Sequence, residues 1–193
     1  MTKLLVTVGS MTSFDGLVEA VLAPETVAAL SVLGYDAIFV QYGVAATSKA
    51  KFDALVDRLA AVPPALRPAV EGLAITRDLP GLIAQCDTVV SHAGAGTIVD
   101  VLRAPGGGKK LVVVANESLM DNHQTEVADA LSAGGHLLRA ASSRAEDVVA
   151  ALQRAATHAF VPLPAPASIG AVVAAEAAVA AASRGGRLRA RAN

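Results

Sequence analysis

Aromatic residues and cysteine are scarce in this chain of 193 residues. Aromatics make up 3% of it, tryptophan is absent, and there is one cysteine, Cys86. Few rings are available for the core, so Ala, Val and Leu must fill it. A single cysteine excludes an intrachain disulfide, which is typical of a reducing compartment. Cys86 lies in an apolar stretch, and we interpret it as a buried structural residue rather than a catalytic thiol.

An excess of one charge is also missing. Lys and Arg number 16 against 17 Asp and Glu, and the formal net charge is −1. This balance excludes a protein that binds nucleic acid through its bulk charge. No uncharged apolar run is long enough to cross a membrane, and the nearest, residues 169–182, contains Glu176. With no signal-peptide pattern at the start, we expect a cytoplasmic protein that reaches a membrane only through a partner.

Apolar runs alternate with helical patterns along most of the chain. We predict strands over residues 4–8, 37–42, 70–75, 88–91, 111–115 and 136–139. We predict helices over residues 14–33 (interrupted at Pro24), 49–59, 79–85, 96–103, 121–133 and 145–158. The alternation predicts an α/β fold, a Rossmann-like doubly wound parallel sheet over residues 1–160. Residues 161–183 are expected to form a proline break and a C-terminal helix, and residues 184–193 a disordered basic tail.

Glycine-bearing polar turns directly follow two of the predicted strands. The first contains Gly9, Ser10 and Thr12, and the second runs over residues 91–97. A turn between a buried strand and a helix start directs unpaired N–H groups and the helix dipole at one point, which suits a phosphate. Thr12 can instead serve as the N-cap of the next helix. The two turns together predict a nucleotide-type site at the carboxyl ends of the strands.

The second turn supplies most of the candidate binding residues, which are Ser91, His92, Ala93, Gly94, Ala95, Gly96 and Thr97. Its two glycines leave room for a ligand next to the backbone. His92 either donates a hydrogen bond to a phosphate or sugar oxygen or is a structural histidine. Asp100, one helical turn further on, either accepts ribose hydroxyls or is a favourable charge near a helix start.

A third polar cluster follows the strand predicted over residues 111–115. Its candidate residues for sugar recognition are Asn116, Met120, Asn122, His123 and Gln124. Amide side chains both donate and accept hydrogen bonds, which suits sugar hydroxyls. Asn122 can also be no more than a helix N-cap.

Two further glycine patterns fail as nucleotide motifs. A dinucleotide fingerprint would need a third glycine where Val99 stands. The run Gly106-Gly107-Gly108-Lys109 precedes a strand instead of following one, so it is not a P-loop. The chain also has no Cys/His cluster of the kind that binds zinc.

In their order along the chain, three motifs resemble a known family. They are Val-Thr-Val-Gly-Ser over residues 6–10, Ser-His-Ala-Gly-Ala-Gly-Thr over residues 91–97, and Asn-Glu-x-Leu-Met-x-Asn-His-Gln over residues 116–124. Together they resemble the small, nucleotide-sugar-binding subunit of the two-part UDP-N-acetylglucosamine transferase of the dolichol pathway. Related proteins include the C-terminal half of the bacterial lipid-linked N-acetylglucosaminyltransferase. The resemblance covers about residues 3–140.

This resemblance implies one half, the C-terminal donor-binding half, of a GT-B glycosyltransferase. It implies an obligate, membrane-anchored partner subunit that carries the acceptor half. The implied reaction transfers N-acetylglucosamine, with inversion, from UDP-N-acetylglucosamine to N-acetylglucosaminyl-diphosphodolichol. The reaction would occur at the cytosolic face of the endoplasmic reticulum, and the chain alone would be inactive.

Roles for single residues also follow from the resemblance. Gly9 and Ser10 would face the diphosphate, residues 92–97 would surround diphosphate and ribose, and Asp100 would bind the ribose where many relatives have Glu. Asn122, His123 and Gln124 would contact the sugar. The resemblance implies no metal or cofactor, because helix dipoles and backbone donors stabilise the charge in GT-B enzymes.

The resemblance also bears on the general base and on the segment that docks the partner. The general base is expected from the partner, with His92 as the candidate within this chain. Residues 169–182 are the expected docking segment for the partner.

Two alternatives stay open at this point. The chain can be a subunit of a bacterial polysaccharide glycosyltransferase that uses another UDP-sugar. It can also be a non-catalytic nucleotide-binding module, although the intact motifs speak against loss of function.

Overall fold

A computed structural model describes residues 1–9, 13–115 and 122–163, with the backbone alone for residues 122–125. Within these residues the strands are β1 (Thr2–Thr7), β2 (Tyr35–Gln41), β3 (Ala69–Leu73), β4 (Thr88–His92), β5 (Lys110–Val114) and β6 (Leu138–Arg139). The α-helices are α1 (Asp15–Val21), α2 (Pro24–Val32), α3 (Ser48–Arg58), α4 (Leu79–Ala84), α5 (Ala95–Leu102), α6 (Asn122–Ala133) and α7 (Ala145–Thr157). Each predicted strand and helix within the described ranges is present, with bounds that differ by two residues or fewer.

All six described strands form one parallel sheet in the order β3-β2-β1-β4-β5-β6. The chain builds outward from β1 to β3 on one side and then crosses back to add β4, β5 and β6 on the other. The sheet therefore reverses its direction of growth between β1 and β4, which is where α/β proteins of this kind bind ligands. The predicted doubly wound parallel sheet is confirmed.

The central strands are apolar on both faces because helices cover the sheet on both sides. Leu4 and Val6 of β1 pack in a core with α1, α2, α3 and α7. Leu5, between them, points to the opposite face and packs in a second core with α4, α5 and α6. The alternation of side chains along a strand thus divides one apolar run between two cores.

Local sequence signals explain several boundaries. Pro24 occupies the first turn of α2, where a missing N–H costs nothing, so the predicted interruption separates α1 from α2. Gly34 adopts φ +87° directly after Leu33, the C-cap residue of α2, and ends the helix as a C-terminal glycine does. Cys86 is buried as expected, and burial raises the pKa of its thiol to about 11.

Among the described residues, no helix is both long and apolar enough to cross a membrane. The predicted C-terminal helix and the basic tail lie outside the described residues. The division at residues 160 and 183 therefore stays a prediction.

The two-core arrangement predicts a contrast between a buried and an exposed apolar residue. Leu5 of β1 is fully buried in the second core, so its truncation leaves a cavity. We expect Leu5→Ala to lower the free energy of unfolding by about 2–5 kcal/mol. Val32, at the end of α2, is 76% exposed, and we expect Val32→Ala to stay within about 0.5 kcal/mol of the wild type. Urea denaturation measures both, and equal losses would contradict the packing described.

Candidate functional site

The ends of β1 and β4 bring the two glycine turns together. Thr7 pairs with Ser91 across these strands, and His92 pairs with Val114 at the end of β5. In a parallel sheet all carboxyl ends lie at one edge, so the turns that follow β1 and β4 meet at the switch point, with the end of β5 beside β4. Residues that are far apart in the chain therefore form one candidate site.

The imidazole ring of His92 lies against both turns. A Cβ atom built at Gly9 would lie 2.5 Å from Cε1 of His92, and one built at Gly94 would lie 2.2 Å from its Nε2. Such distances are far shorter than van der Waals contact, so the ring occupies the space that a side chain at either position would need. Gly9 also has φ +80°, a conformation that other residues rarely adopt.

His92 is mostly neutral at neutral pH. Burial lowers its pKa, and the neighbouring backbone of Thr7 opposes this shift only in part. A neutral imidazole has one N–H donor and one acceptor nitrogen. In this form the ring can donate to an anionic oxygen without adding a positive charge to the site.

A buried polar network supports the Gly9 turn, and it includes Gln41, a residue that the sequence analysis missed. Thr7 Oγ1 donates to Oε1 of Gln41, and Nε2 of Gln41 donates to the Gly9 carbonyl at 3.3 Å. The Gly9 N–H in turn donates to Thr7 Oγ1 at 3.4 Å. A sequence signal existed, because a glutamine at the end of an apolar, buried strand needs buried partners.

Helix α5 begins at the site without a side-chain cap. Its N-cap residue is Gly94, in an extended conformation, and no side-chain hydrogen bond closes the first turn. The first N–H groups of a helix have no partner within it. They are therefore available to an anion, and the dipole of α5 favours negative charge at this end.

The remaining candidates on β4 and α5 divide into buried and exposed residues. Ser91 is fully buried, and its hydroxyl donates to the His92 carbonyl at 2.8 Å. Ala93 and Thr97 are also buried. Ala95, Gly96 and Asp100 are exposed, and Gly96 and Asp100, four residues apart, lie on one face of α5. The exposed residues are accessible to a ligand, whereas the buried residues pack beneath the turn in the protein interior.

Several candidates fall outside what the structure describes. Ser10, Thr12, Asn116 and Met120 lie outside the described residues. Asn122, His123 and Gln124 form the first turn of α6, and their side chains lie outside the description. Their roles in diphosphate and sugar binding stay predictions.

The packing around His92 predicts opposite effects for two neighbouring glycines. Gly94→Ala forces the imidazole to move, and we expect a loss of about 1–3 kcal/mol in the free energy of unfolding. A Cβ at Gly96 meets no atom within 4 Å, so Gly96→Ala should be neutral or stabilise by up to about 1 kcal/mol. Denaturant unfolding of both variants measures the difference, and a costly Gly96→Ala would argue against this geometry.

The lowered pKa of His92 predicts a pH-dependent stability. The folded state binds this proton less readily than the unfolded state, whose histidine titrates near 6.5. The unfolding free energy therefore falls as the pH drops below about 6.5 and recovers above it. We expect His92→Gln to reduce the slope of unfolding free energy against pH. The other histidines are the same in both proteins, so the difference between the two profiles reports on His92. Urea denaturation between about pH 5 and pH 8 tests this, and parallel profiles would contradict the assignment.

The class of protein follows from this fold and site. The crystal structure of MurG from Acinetobacter baumannii is similar, with a TM-score of 0.53 and 22% sequence identity over 82% of this chain and 46% of that one. This likeness shows the fold alone, a Rossmann-like domain equivalent to one half of the GT-B fold. The NMR solution structure of ALG13 matches with a TM-score of 0.67 and 27% identity, covering 86% of this chain and 90% of that one.

The sequence defines the family. Residues 3–178 match the glycosyltransferase family 28 C-terminal domain. The UDP-N-acetylglucosamine transferase subunit ALG13 of Yarrowia lipolytica is 34% identical over 165 residues, which cover 84% of this chain and 76% of that protein. This chain belongs to glycosyltransferase family 28 and corresponds to its C-terminal domain.

Proposed function

We propose that this chain is the donor-binding subunit of an inverting N-acetylglucosaminyltransferase. In this proposal it holds UDP-N-acetylglucosamine while the sugar moves to N-acetylglucosaminyl-diphosphodolichol. The observation that carries the proposal is the arrangement of Gly9, His92 and Gly94 beside the uncapped start of α5. Similarity to proteins named as UDP-N-acetylglucosamine transferase subunits supports the choice of donor.

The donor diphosphate would lie at the start of α5. There the free N–H groups and the helix dipole offset its negative charge, and a neutral His92 can donate one hydrogen bond. An acceptor hydroxyl attacks the anomeric carbon of N-acetylglucosamine while the bond to the β-phosphate oxygen breaks. UDP leaves with the electron pair of that bond, and the sugar is transferred with inversion. The site would thus stabilise the charge that grows on UDP in the transition state, without a metal or other cofactor.

The acceptor half would come from a partner. This chain corresponds to 46% of the length of the GT-B enzyme with a similar fold, and GT-B active sites lie between two such halves. We propose a membrane-anchored partner subunit that binds the dolichol-linked acceptor and supplies the general base. The complex would act at the cytosolic face of the endoplasmic reticulum, with residues 169–182 as the docking segment.

Calorimetric titration with nucleotide sugars tests donor binding. We expect UDP-N-acetylglucosamine to bind more tightly than UDP-glucuronic acid or GDP-mannose. His92→Ala and Gln124→Ala should each weaken binding by about tenfold or more, as loss of a hydrogen bond to a ligand does. The matched controls are Gln153→Ala in α7 and His158→Ala directly after α7, which replace the same residue types. Both should leave the affinity unchanged.

The same titration is repeated on the complex with the membrane-anchored subunit, since the partner can complete the site. Transfer of radiolabelled N-acetylglucosamine to the lipid acceptor should require both subunits. Preference for another UDP-sugar would favour a polysaccharide enzyme, and binding without transfer in the complex would favour a non-catalytic module. Absence of nucleotide binding by the complex would refute the donor-subunit proposal.

A further inference from the structure

We infer that Gln41 is a positioning residue that fixes the Gly9 turn in the form that accepts the donor diphosphate. The inference rests on the proposed function, because it assigns Gln41 a role in that same site. Gln41 ends β2, and β1 lies between it and β4 with its glycine turn. It would act on the ligand through Gly9 rather than by contact.

The observation behind this inference is the way in which one amide group bridges two strands. Gln41 is 3% exposed and pairs with Thr7 in the register of β1 and β2. Its Oε1 accepts from the Thr7 hydroxyl, and its Nε2 donates to the Gly9 carbonyl at 3.3 Å. Both ends of the side-chain amide are therefore used, and both bonds act on the segment that leads into the turn.

The packing of the His92 ring against Gly9 connects this bridge to the ligand. A Cβ atom built at Gly9 would lie 2.5 Å from Cε1 of His92, so the ring lies directly against the turn. Because Gln41 holds the Gly9 carbonyl, it keeps the turn in the conformation against which the ring packs, beside the start of α5. The ring and the first N–H groups of α5 are the donors that an anionic diphosphate at the switch point requires.

Gly9 itself would otherwise be free to change conformation. A glycine populates positive and negative φ with similar ease, so its φ of +80° is not fixed by its own chemistry. The contacts that restrict it are the Gln41 bridge, the N–H bond to Thr7 Oγ1 at 3.4 Å and the His92 ring. Gln41 supplies the one described hydrogen bond to the Gly9 carbonyl.

A matched control lies on the same strand. Tyr35 begins β2, and its hydroxyl donates to Thr88 Oγ1 of β4 at 2.8 Å, also in the protein interior. This bond is buried and joins side chains of two strands, as the Thr7–Gln41 bond does. It lies at the opposite edge of the sheet, so its loss affects stability without reaching the turn.

The experiment compares affinities for UDP and uridine in the complex with the partner subunit. Gln41→Met keeps the length of the side chain and removes both amide atoms. We expect it to weaken UDP binding by about tenfold or more and to leave uridine binding unchanged, since uridine lacks the diphosphate. Tyr35→Phe should leave the ratio of the two affinities at the wild-type value, and Thr7→Ser, which keeps the hydroxyl, should preserve it.

A second readout is the NMR signal of the His92 ring, which contacts Gly9. We expect it to move in Gln41→Met and to stay in place in Tyr35→Phe. If Gln41→Met does not fold, Thr7→Val replaces it in the same assay, because this change removes the hydroxyl that holds Gln41. We expect Thr7→Val to lower the ratio of UDP affinity to uridine affinity.

Two failures are distinguishable. If the wild-type complex binds UDP no better than uridine, the proposed donor site is refuted, and this inference with it. Wild-type preference for UDP that survives unchanged in Gln41→Met, or falls equally in Tyr35→Phe, overturns the positioning role alone. A selective loss of UDP affinity in Gln41→Met supports it.

Discussion

Parallel pairing of β1 with β4 is the interaction on which the candidate site depends. Thr7 and Ser91 meet in this pair although 83 residues separate them along the chain. The pairing places the Gly9 turn and the Gly94 turn on either side of the His92 ring. Without it, the two glycine motifs would be separate turns, and the start of α5 would face no second loop.

Buried polar groups beneath the turns also fix how β1 aligns with its other neighbour, β2. Thr7, Gln41 and Ser91 all lie in the interior, where an unpaired polar group is costly. Each finds a partner at the ends of β1, β2 or β4. A shift in the register of β1 against β2 would separate Gln41 from Thr7 and Gly9, so these bonds favour one alignment of the two strands and one shape of the Gly9 turn.

Much of the fold was predictable because its signals are local. Apolar runs marked the strands, Pro24 marked a helix start, and Gly34 marked a helix end. The two glycine turns and His92 could be recognised as candidate site residues for the same reason. Their mutual contact was not, since it depends on which strands become neighbours. Gln41 was missed because its partners, Thr7 and Gly9, lie more than thirty residues away.

The long separation between the halves of the site has a consequence for folding. Strands β1, β2 and β3 can associate early as a continuous stretch of chain, but β4 must return across that unit before its turn reaches Gly9. Closure of such a non-local contact is slow compared with local pairing. A partly folded chain that lacks β4 would therefore lack the proposed nucleotide site. A ligand that binds at this position would stabilise the completed sheet alone and would shift the folding equilibrium toward it.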